Sequence, residues 1–271
     1  MDRLGIELLS VFGMPPVAFV NLAFDLGCQY ISSGLTGFPL PQLGQPEFSL
    51  KDDQALRHEV LSAMDDCGVS IALGDGLLIL PGADIAERAA DLDILAELRV
   101  PLVNSVSLDP DRERTFDQFA LLTELAAERG MTTTTEPAPG TTVGDITAGL
   151  AAVKHVGRRD FQLLIDTMHL VRSGFGAADI AALEPGSIGY AQLSDTTLQP
   201  RMDNYMQEAT FERMVPGEGE LPLQDIVDAL PPDIVIGLEV PQLSLAEAGV
   251  GHFDRVKPCV DAARSLLARS R

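Results

Sequence analysis

Residues 162–169, with the sequence QLLIDTMH, form a short apolar run that ends in a carboxylate, Asp166, and is soon followed by His169. Continuous apolar runs of this length are typical of parallel β-strands whose two faces are both covered. The same pattern recurs along the chain, between stretches with helical apolar spacing. Strands are predicted at Leu4–Val11, Tyr30–Ser33, Val69–Leu73, Leu102–Val106, Thr132–Glu136, Gln162–Asp166, Ile188–Leu193 and Ile234–Val240.

Amphipathic helices are predicted between these strands. In Ala83–Leu98, for example, apolar residues recur every three or four positions and form one face. Eight strands alternating with about eight helices in 271 residues indicate an α/β fold, a (β/α)8 TIM barrel, as a single domain over residues 1–271. A doubly wound open sheet is the main alternative. The chain lacks the Gly-rich phosphate turn after the first strand that such a sheet usually carries.

Composition excludes several classes of function. The chain has 40 acidic and 19 basic residues, and its net charge of −21 would repel nucleic acid and anionic lipid. We therefore expect no nucleic-acid partner and no membrane partner. No apolar stretch approaches the roughly 20 residues of a membrane helix, and no signal peptide is visible. With an odd number of cysteines, three, the sequence predicts reduced thiols in a cytoplasmic protein.

Oxygen-bearing side chains end four successive predicted strands: Glu136, Asp166, Gln192 and Glu239. In a barrel these ends share one face, and several carboxylates buried there are costly unless a cation neutralises them. An oxygen-rich set of this kind suits Mg²⁺ or Mn²⁺. We therefore predict that these four residues are metal ligands. The ordinary alternative for any single carboxylate is a surface ion pair or a helix N-cap, and Asp166 is well placed for a cap.

Two residues beyond the strand ends are candidates for contact with a substrate. His169 would sit beside the metal, where a near-neutral pKa suits proton transfer or substrate binding. Arg213 is one of the few bases in an acidic chain and could bind an oxygen-rich substrate. Its alternative is an ion pair with Glu218 or Glu220, in the Gly- and Pro-containing loop that follows it.

Two further positions in the predicted strands are candidates for substrate binding, Asn104 in the fourth strand and Glu7 in the first. Asp75 lies between two glycines, and that pattern predicts a turn. The longest irregular stretches, Gly34–Ser49 and Thr196–Leu221, both follow strands. We expect them to overhang the C-terminal face of the barrel and to select the substrate.

The motifs D-T-M-H-L-x-R-S-G from Asp166 and R-M-V-P-G-E-G-E-L-P-L from Arg213 resemble the xylose isomerase-like TIM-barrel superfamily. That group includes sugar phosphate isomerases and epimerases, inosose dehydratases and 3-dehydroshikimate dehydratases. The resemblance implies a divalent metal on the four predicted ligands, with His169 and Arg213 contacting the substrate. Most members have histidine where this chain has Gln192, and glutamine there is similar to a subset of the 3-dehydroshikimate dehydratases. The endonuclease IV branch does not fit, because this chain has four histidines and a charge of −21.

The resemblance leaves three functions open. The first is a metal-dependent isomerase or epimerase of a sugar or related α-hydroxy ketone. It would remove the proton next to a metal-bound carbonyl through an enediolate, with Glu136 and Glu239 as the proton-transfer groups. The second is a dehydratase of the 3-dehydroshikimate type, with His169 as acid or base. The third is a barrel that binds a ligand without turnover.

The expected cofactor is one divalent ion, Mn²⁺ or Mg²⁺, with Co²⁺ and Zn²⁺ as alternatives. The expected partner is a small polyhydroxy ketone. Dimers and tetramers are common in the family that the chain resembles, which leaves a homo-oligomer open.

Overall fold

The structure is a computed structural model that describes residues 3–38 and 40–270; the remaining positions of the predicted 1–271 domain lie outside it. Eight parallel strands form a closed barrel in chain order, and β1 closes the ring by pairing with β8. The predicted (β/α)8 barrel is therefore confirmed. The strands are β1 (Leu4–Ile6), β2 (Tyr30–Ser33), β3 (Ser70–Ile79), β4 (Leu102–Ser107), β5 (Thr132–Thr135), β6 (Phe161–Asp166), β7 (Ile188–Leu193) and β8 (Ile236–Leu238).

Helices connect the strands and cover the barrel, and their buried apolar faces form one continuous core with the outward-facing strand residues. Short 3-10 helices occur at Leu8–Val11, Pro41–Leu43 and Ile85–Arg88. None of the described helices combines the length and the apolar character needed to cross a bilayer. The α-helices are α1 (Pro16–Asp25), α2 (Gln54–Cys67), α3 (Ala89–Glu97), α4 (Arg112–Ala127), α5 (Ile146–Val156), α6 (Thr167–Arg172), α7 (Ala177–Ala181), α8 (Tyr205–Phe211), α9 (Leu223–Ala229), α10 (Leu243–Glu247) and α11 (His252–Arg269).

The first and last strands are shorter than predicted. β1 ends at Ile6, and the apolar residues that follow it form a 3-10 helix instead of continuing the strand. The hydroxyl of Ser10, in that helix, donates to the carbonyl of Leu238 at 2.8 Å and accepts from the N–H of Val240 at 2.7 Å. A side chain thus takes the hydrogen bonds that a longer β1 would have made. The apolar run at residues 8–11 reflects burial at the barrel end and not strand pairing.

The third strand is longer than predicted, and the prediction of a turn at Asp75 is wrong, because Asp75 lies within the strand. β3 runs to Ile79, and its pairing with β4 shifts register between Gly74 and Leu77. Gly76 has a φ of 88°, which a side chain would strain. The chain therefore absorbs the two glycines in a β-bulge, and a bulge re-aims the neighbouring side chains.

The two long stretches expected to be irregular both contain helices. Pro41–Leu43 forms a 3-10 turn within residues 34–49, where Pro39 lies outside the described residues, and α8 lies within residues 196–221. Apolar spacing does not indicate α6 or α10 either, although the cap at Asp166 is a local signal for α6. These helices have five to seven residues. Apolar periodicity needs a longer window to become visible, so it could not find them.

Candidate active site

Three carboxylates meet at the C-terminal end of the barrel. Glu136 follows β5, Asp166 ends β6 and Glu239 follows β8. One carboxylate oxygen from each lies within 4.8 Å of the others. Asp166 and Glu239 are buried, and Glu136 is partly buried. The fold therefore brings together three of the four predicted metal ligands, in an arrangement that could hold a metal ion.

Gln192, the fourth predicted ligand, lies in β7 between Asp166 and Glu239 in the barrel order. Its amide nitrogen donates to Glu239 Oε1 at 3.3 Å and also faces the carboxylate of Glu7. These two acceptors fix the orientation of the amide, because the reversed orientation would turn its oxygen toward negative charge. The buried oxygen Oε1 then has no hydrogen-bond partner among the described residues. An unpaired buried oxygen on a side chain that contacts Glu239 is the kind of atom that could bind a cation.

Arg213 bridges two of the carboxylates. Its Nη1 lies 2.5 Å from Asp166 Oδ2, and its Nη2 lies 2.8 Å from Glu239 Oε2. A third nitrogen, Nε, donates to the carbonyl of Ala209 at 2.7 Å, and only 2% of the side chain is exposed. Arg213 therefore pairs with Asp166 and Glu239, and the alternative ion pair with Glu218 or Glu220 is wrong. Three carboxylates and one guanidinium give −3 + 1 = −2 with all groups ionised, a charge that one divalent cation would balance.

The pKa values of Glu239 and Asp166 are shifted in opposite directions. Burial raises the pKa of Glu239 well above its ordinary value, and the charges of Glu136 and Asp166 raise it further, although Arg213 opposes them. Burial also acts to raise the pKa of Asp166, but Arg213 and His169 outweigh it and hold the pKa below its usual range. The cluster therefore binds protons readily at Glu239 when no cation is present to separate the charges.

Asp166 has two roles at once. Its Oδ1 accepts the backbone N–H of His169 at 2.8 Å and so begins α6, as the capping interpretation of the sequence proposed. Its Oδ2 faces Arg213 within the carboxylate cluster. The cap and the cluster are compatible because a carboxylate carries two oxygens with separate directions.

His169 is held from both sides of its ring. Nε2 lies 3.2 Å from Glu136 Oε1, and Nδ1 lies 2.5 Å from the hydroxyl of Tyr205. Tyr205 begins α8 in the long segment after β7 and is not among the site residues predicted from the sequence. The sequence does contain a signal for Tyr205 as a site residue. Tyrosine occurs only three times in the chain, and Tyr205 lies in a segment expected to overhang the site. Burial raises the pKa of the Tyr205 hydroxyl, which keeps it protonated and able to donate.

Asn104 and Glu7 lie beneath the cluster, and each is 1% exposed. Asn104 Nδ2 is 3.4 Å from Glu136 Oε2, and the same side chain donates to Asp75. Glu7 accepts from the hydroxyl of Tyr190 at 2.7 Å, and burial raises its pKa to about 7. Neither Asn104 nor Glu7 lines the cavity above the cluster, so their contact with substrate stays a prediction.

Asp75 faces this site, in contrast to the turn predicted from its glycine neighbours. It lines the cavity above the cluster. Burial and the nearby charge of Glu136 raise its pKa to about 6. A carboxylate inside the otherwise apolar sequence IALGDGLLIL, residues 71–80, was the signal that could have identified it.

The loop that carries Arg213 is folded around Asp195. The carboxylate of Asp195 accepts backbone N–H groups from Thr196, Gly217, Gly219 and Leu221 at 2.8–3.1 Å. A side chain on Gly219 would collide with that carboxylate, which explains the glycine there. The alternating sequence PGEGE thus supplies close backbone approach to one buried acid, and that acid positions the segment after Arg213.

A cavity of about 620 Å³ opens above the cluster, and Glu136, His169, Arg213 and Glu239 line its inner end. Both long segments contribute to it, through residues such as Phe38 and Met206. A concave site of this size with few convergent polar groups is typical of small-molecule binding.

The family profile described as a xylose isomerase-like TIM barrel matches residues 20–256 of the chain. The chain belongs to this family. The match extends from α1 to the first turns of α11 and so contains every predicted metal ligand. A search of curated proteins finds no match.

Several solved structures share the fold of this family member. IolI with a bound zinc atom has a TM-score of 0.80 at 15% identity, and the match covers 100% of this chain and 99% of IolI. D-psicose 3-epimerase with D-tagatose from Clostridium cellulolyticum H10 has a TM-score of 0.72 at 16% identity, with 98% and 99% covered. AsbF of Bacillus anthracis, a probable 3-DHS dehydratase, has a TM-score of 0.74 at 14% identity, with 97% and 99% covered. At such identities the likeness shows the fold alone.

Proposed function

We propose that the protein is a divalent-metal-dependent isomerase or epimerase of a sugar or related α-hydroxy ketone. The carboxylate cluster carries this proposal. Three carboxylates have oxygens within 4.8 Å of one another, and the cluster keeps a charge of −2 after Arg213 is counted. Gln192, which contacts Glu239, also has an unpaired buried amide oxygen. Family membership supports it, since the epimerase D-psicose 3-epimerase shares the fold.

The ion would be held by Glu136, Asp166, Gln192 and Glu239. All four offer oxygen, and an all-oxygen set favours Mn²⁺ or Mg²⁺ over softer metals. When bound, a divalent cation supplies electrophilic stabilisation of negative charge that develops on substrate oxygens.

The protein's own groups would move the protons. Glu136 and Glu239 come from β5 and β8, on different sides of the cluster, and each can take or return a proton at the carbon next to the substrate carbonyl. Transfer on opposite faces of that carbon gives an epimer. Arg213 holds Glu239 at 2.8 Å and keeps a fixed positive charge beside the reacting oxygens.

A dehydratase is the second candidate, and the geometry of His169 favours it. The imidazole lies between Tyr205 and Glu136, and it lines the cavity. A histidine in this position could protonate a β-hydroxyl as it leaves. AsbF, a probable 3-DHS dehydratase of the same fold, makes 3-dehydroshikimate the substrate to test.

The experiment compares metal-stripped protein with protein given Mn²⁺ or Mg²⁺. Exchange of the α-proton in D₂O would be followed by NMR with a panel of ketoses and inososes, and ultraviolet absorbance would be followed with 3-dehydroshikimate. We expect metal-dependent exchange without elimination. A metal-dependent aromatic chromophore from 3-dehydroshikimate would instead establish the dehydratase. Metal binding without turnover of any of these compounds would favour a binding protein.

Two variants test the cluster directly. Glu136→Gln and Glu239→Gln should each weaken Mn²⁺ binding in calorimetry by at least about tenfold, because each removes a charged ligand. Glu128→Gln, a change at an exposed carboxylate far from the cavity, is the matched control. Unchanged Mn²⁺ affinity in both cluster variants would contradict the assignment of the ligands.

A further inference from the structure

The cavity above the cluster continues across the mouth of the barrel. The predicted metal ligands come from β5 to β8 and occupy one half of the ring. In a closed ring of eight strands in chain order, β2 and β3 lie opposite β6 and β7. The cavity reaches that opposite half, where Leu35, Phe38 and Leu77 line it. Its volume of about 620 Å³ lies in the range of sites for drug-sized ligands, so it has room beyond a small sugar.

Beyond the cluster, most of the cavity wall is apolar. Leu108 and Met206 remain 48% and 41% exposed at the mouth, although they are large apolar side chains. Sugar hydroxyls placed against such a wall would lose hydrogen bonds to water without replacement, whereas carbon would gain from burial. The apolar wall consists of Leu8, Leu9, Phe38, Leu77, Leu108 and Met206.

The far end of the cavity carries positive charge. Lys51 Nζ lies 2.7 Å from Asp91 Oδ2, and Arg88 Nη1 lies 3.2 Å from the same oxygen. All three residues line the cavity, and together they have a charge of +2 − 1 = +1 in a chain of −21. Asp75, a further carboxylate of the cavity, lies near Glu136 and adds to the negative charge of the cluster side. The cavity is therefore negative near the cluster, largely apolar beyond it and positive around Lys51 and Arg88.

We propose that the substrate is an elongated hydroxy ketone, with an apolar body beyond the reacting carbonyl and an anionic group at its far end. This inference rests on the proposed function of the cluster, because the position of the ion sets where the carbonyl binds. The apolar wall selects the body, and Lys51 with Arg88 selects the anion. A carboxylate and a phosphate share the chemistry that this end recognises.

A series of hydroxamates tests the apolar body. A hydroxamate presents two adjacent oxygens, like an α-hydroxy ketone, and its chain length can be varied freely. The chain has no tryptophan, so affinity would be measured by calorimetry on the Mn²⁺-loaded protein. From acetohydroxamate to octanohydroxamate, we expect the Kd to fall by up to about fourfold for each buried methylene. An unchanged Kd along the series would overturn the proposal.

Matched variants test whether the gain in affinity per methylene arises at the apolar wall. Leu108→Gln should reduce the gain per methylene, while Leu245→Gln, at a residue 42% exposed that does not line the cavity, should leave it unchanged. Equal gains in both variants would also overturn the proposal. If even acetohydroxamate fails to bind in a Mn²⁺-dependent way, the proposed function of the cluster fails first, and the two failures are thereby distinguished.

Octanohydroxamates with a terminal carboxylate or a terminal phosphonate test the anionic end and separate the two anion types. We expect at least one to bind about fivefold more tightly than unsubstituted octanohydroxamate, a gain in the range of partly exposed ion pairs that shrinks as salt is added. The double variant Lys51→Gln/Arg88→Gln should abolish this gain, and Lys257→Gln/Arg99→Gln should keep it. A gain that survives in the first variant, or no gain with either anion, would overturn the anionic end.

Discussion

Replacement of Arg213 by methionine removes the guanidinium that bridges Asp166 and Glu239 and keeps a stem of similar length. In the native chain this group contacts Asp166 at 2.5 Å and Glu239 at 2.8 Å. Both carboxylates are buried, so the substitution leaves two of them without their cation in a medium that solvates charge poorly. The metal-free protein is expected to lose stability as a result.

The size of the loss follows from the burial of the pair. Removing one partner of a buried ion pair costs about 3–5 kcal/mol. For 271 residues the unfolding entropy is about 0.6 kcal/mol/K, at about 2.1 cal/mol/K for each residue. We therefore expect the Tm of the metal-free Arg213→Met variant to fall by about 5–9 °C.

The affinity for Mn²⁺ should increase in the same variant, although its metal-free stability decreases. Without Arg213 the cluster has a charge of −3 and not −2, and oxygens of Asp166 and Glu239 are free to act as ligands. Mn²⁺ should therefore bind the variant more tightly and raise its Tm by more than that of the native protein. Together these shifts separate an electrostatic role of Arg213 from general damage to the fold.

The assay is calorimetric melting of EDTA-treated protein, with and without saturating Mn²⁺. Arg99→Met is the control, because Arg99 pairs with Asp65 at the exposed surface and such pairs contribute little. Two results would contradict this electrostatic role of Arg213: a metal-free Tm within about 2 °C of the native value, or a smaller stabilisation of the Arg213→Met variant by Mn²⁺ than of the native protein.

Three further predictions concern residues around the cluster. Burial raises the pKa of Glu7 from 4.5 to about 7, so between those pH values the folded chain holds a proton that the unfolded chain has released. The free energy of unfolding should therefore decrease by about 3 kcal/mol, from this group alone, as pH rises through that window. Urea unfolding at pH 5 and pH 8 would measure this decrease, which should be smaller in Glu7→Gln than in the native protein. Tyr205→Phe removes the hydroxyl that holds His169 and should lower kcat by about tenfold or more with little change in Tm, as steady-state kinetics and melting would show; an unchanged kcat would contradict a role in positioning the imidazole. Asp195→Ala removes the acceptor of four backbone N–H groups, so it should destabilise the protein by about 3 kcal/mol or more and speed hydrogen exchange in residues 214–221; unaltered exchange there would show that the loop is held by other contacts.

The barrel itself could be predicted from the sequence because its signals are local. Short continuous apolar runs mark strands covered on both faces, and helical spacing between them marks the crossovers. Parallel strands in a closed ring send all their C-terminal ends to one face. For that reason, the positions of Glu136, Asp166 and Glu239 after their strands were enough to predict that they meet. The cap at Asp166 was equally local, since it spans three residues.

The partners of the charged and hydrogen-bonding side chains required the tertiary structure. Arg213 pairs with Asp166 from 47 positions away, and not with the nearby Glu218 or Glu220. Tyr205 meets His169 across 36 positions, because the segment after β7 folds back over the site as α8. Contacts of this kind depend on how loops pack, and loop packing has no periodicity to read in the sequence.

The bulge in β3 and the far end of the cavity also depend on tertiary packing. Two glycines around Asp75 predict a turn locally, but pairing with β4 draws them into the strand. Lys51 contacts Asp91 from 40 positions away, whereas Arg88 contacts the same carboxylate from only three positions away. The sequence alone therefore determined the barrel and the meeting of Glu136, Asp166 and Glu239 at one end of it, since both depend on local pattern and strand order. Which charges pair, which acceptor stays unpaired and how far the cavity extends were decided by long-range packing in three dimensions.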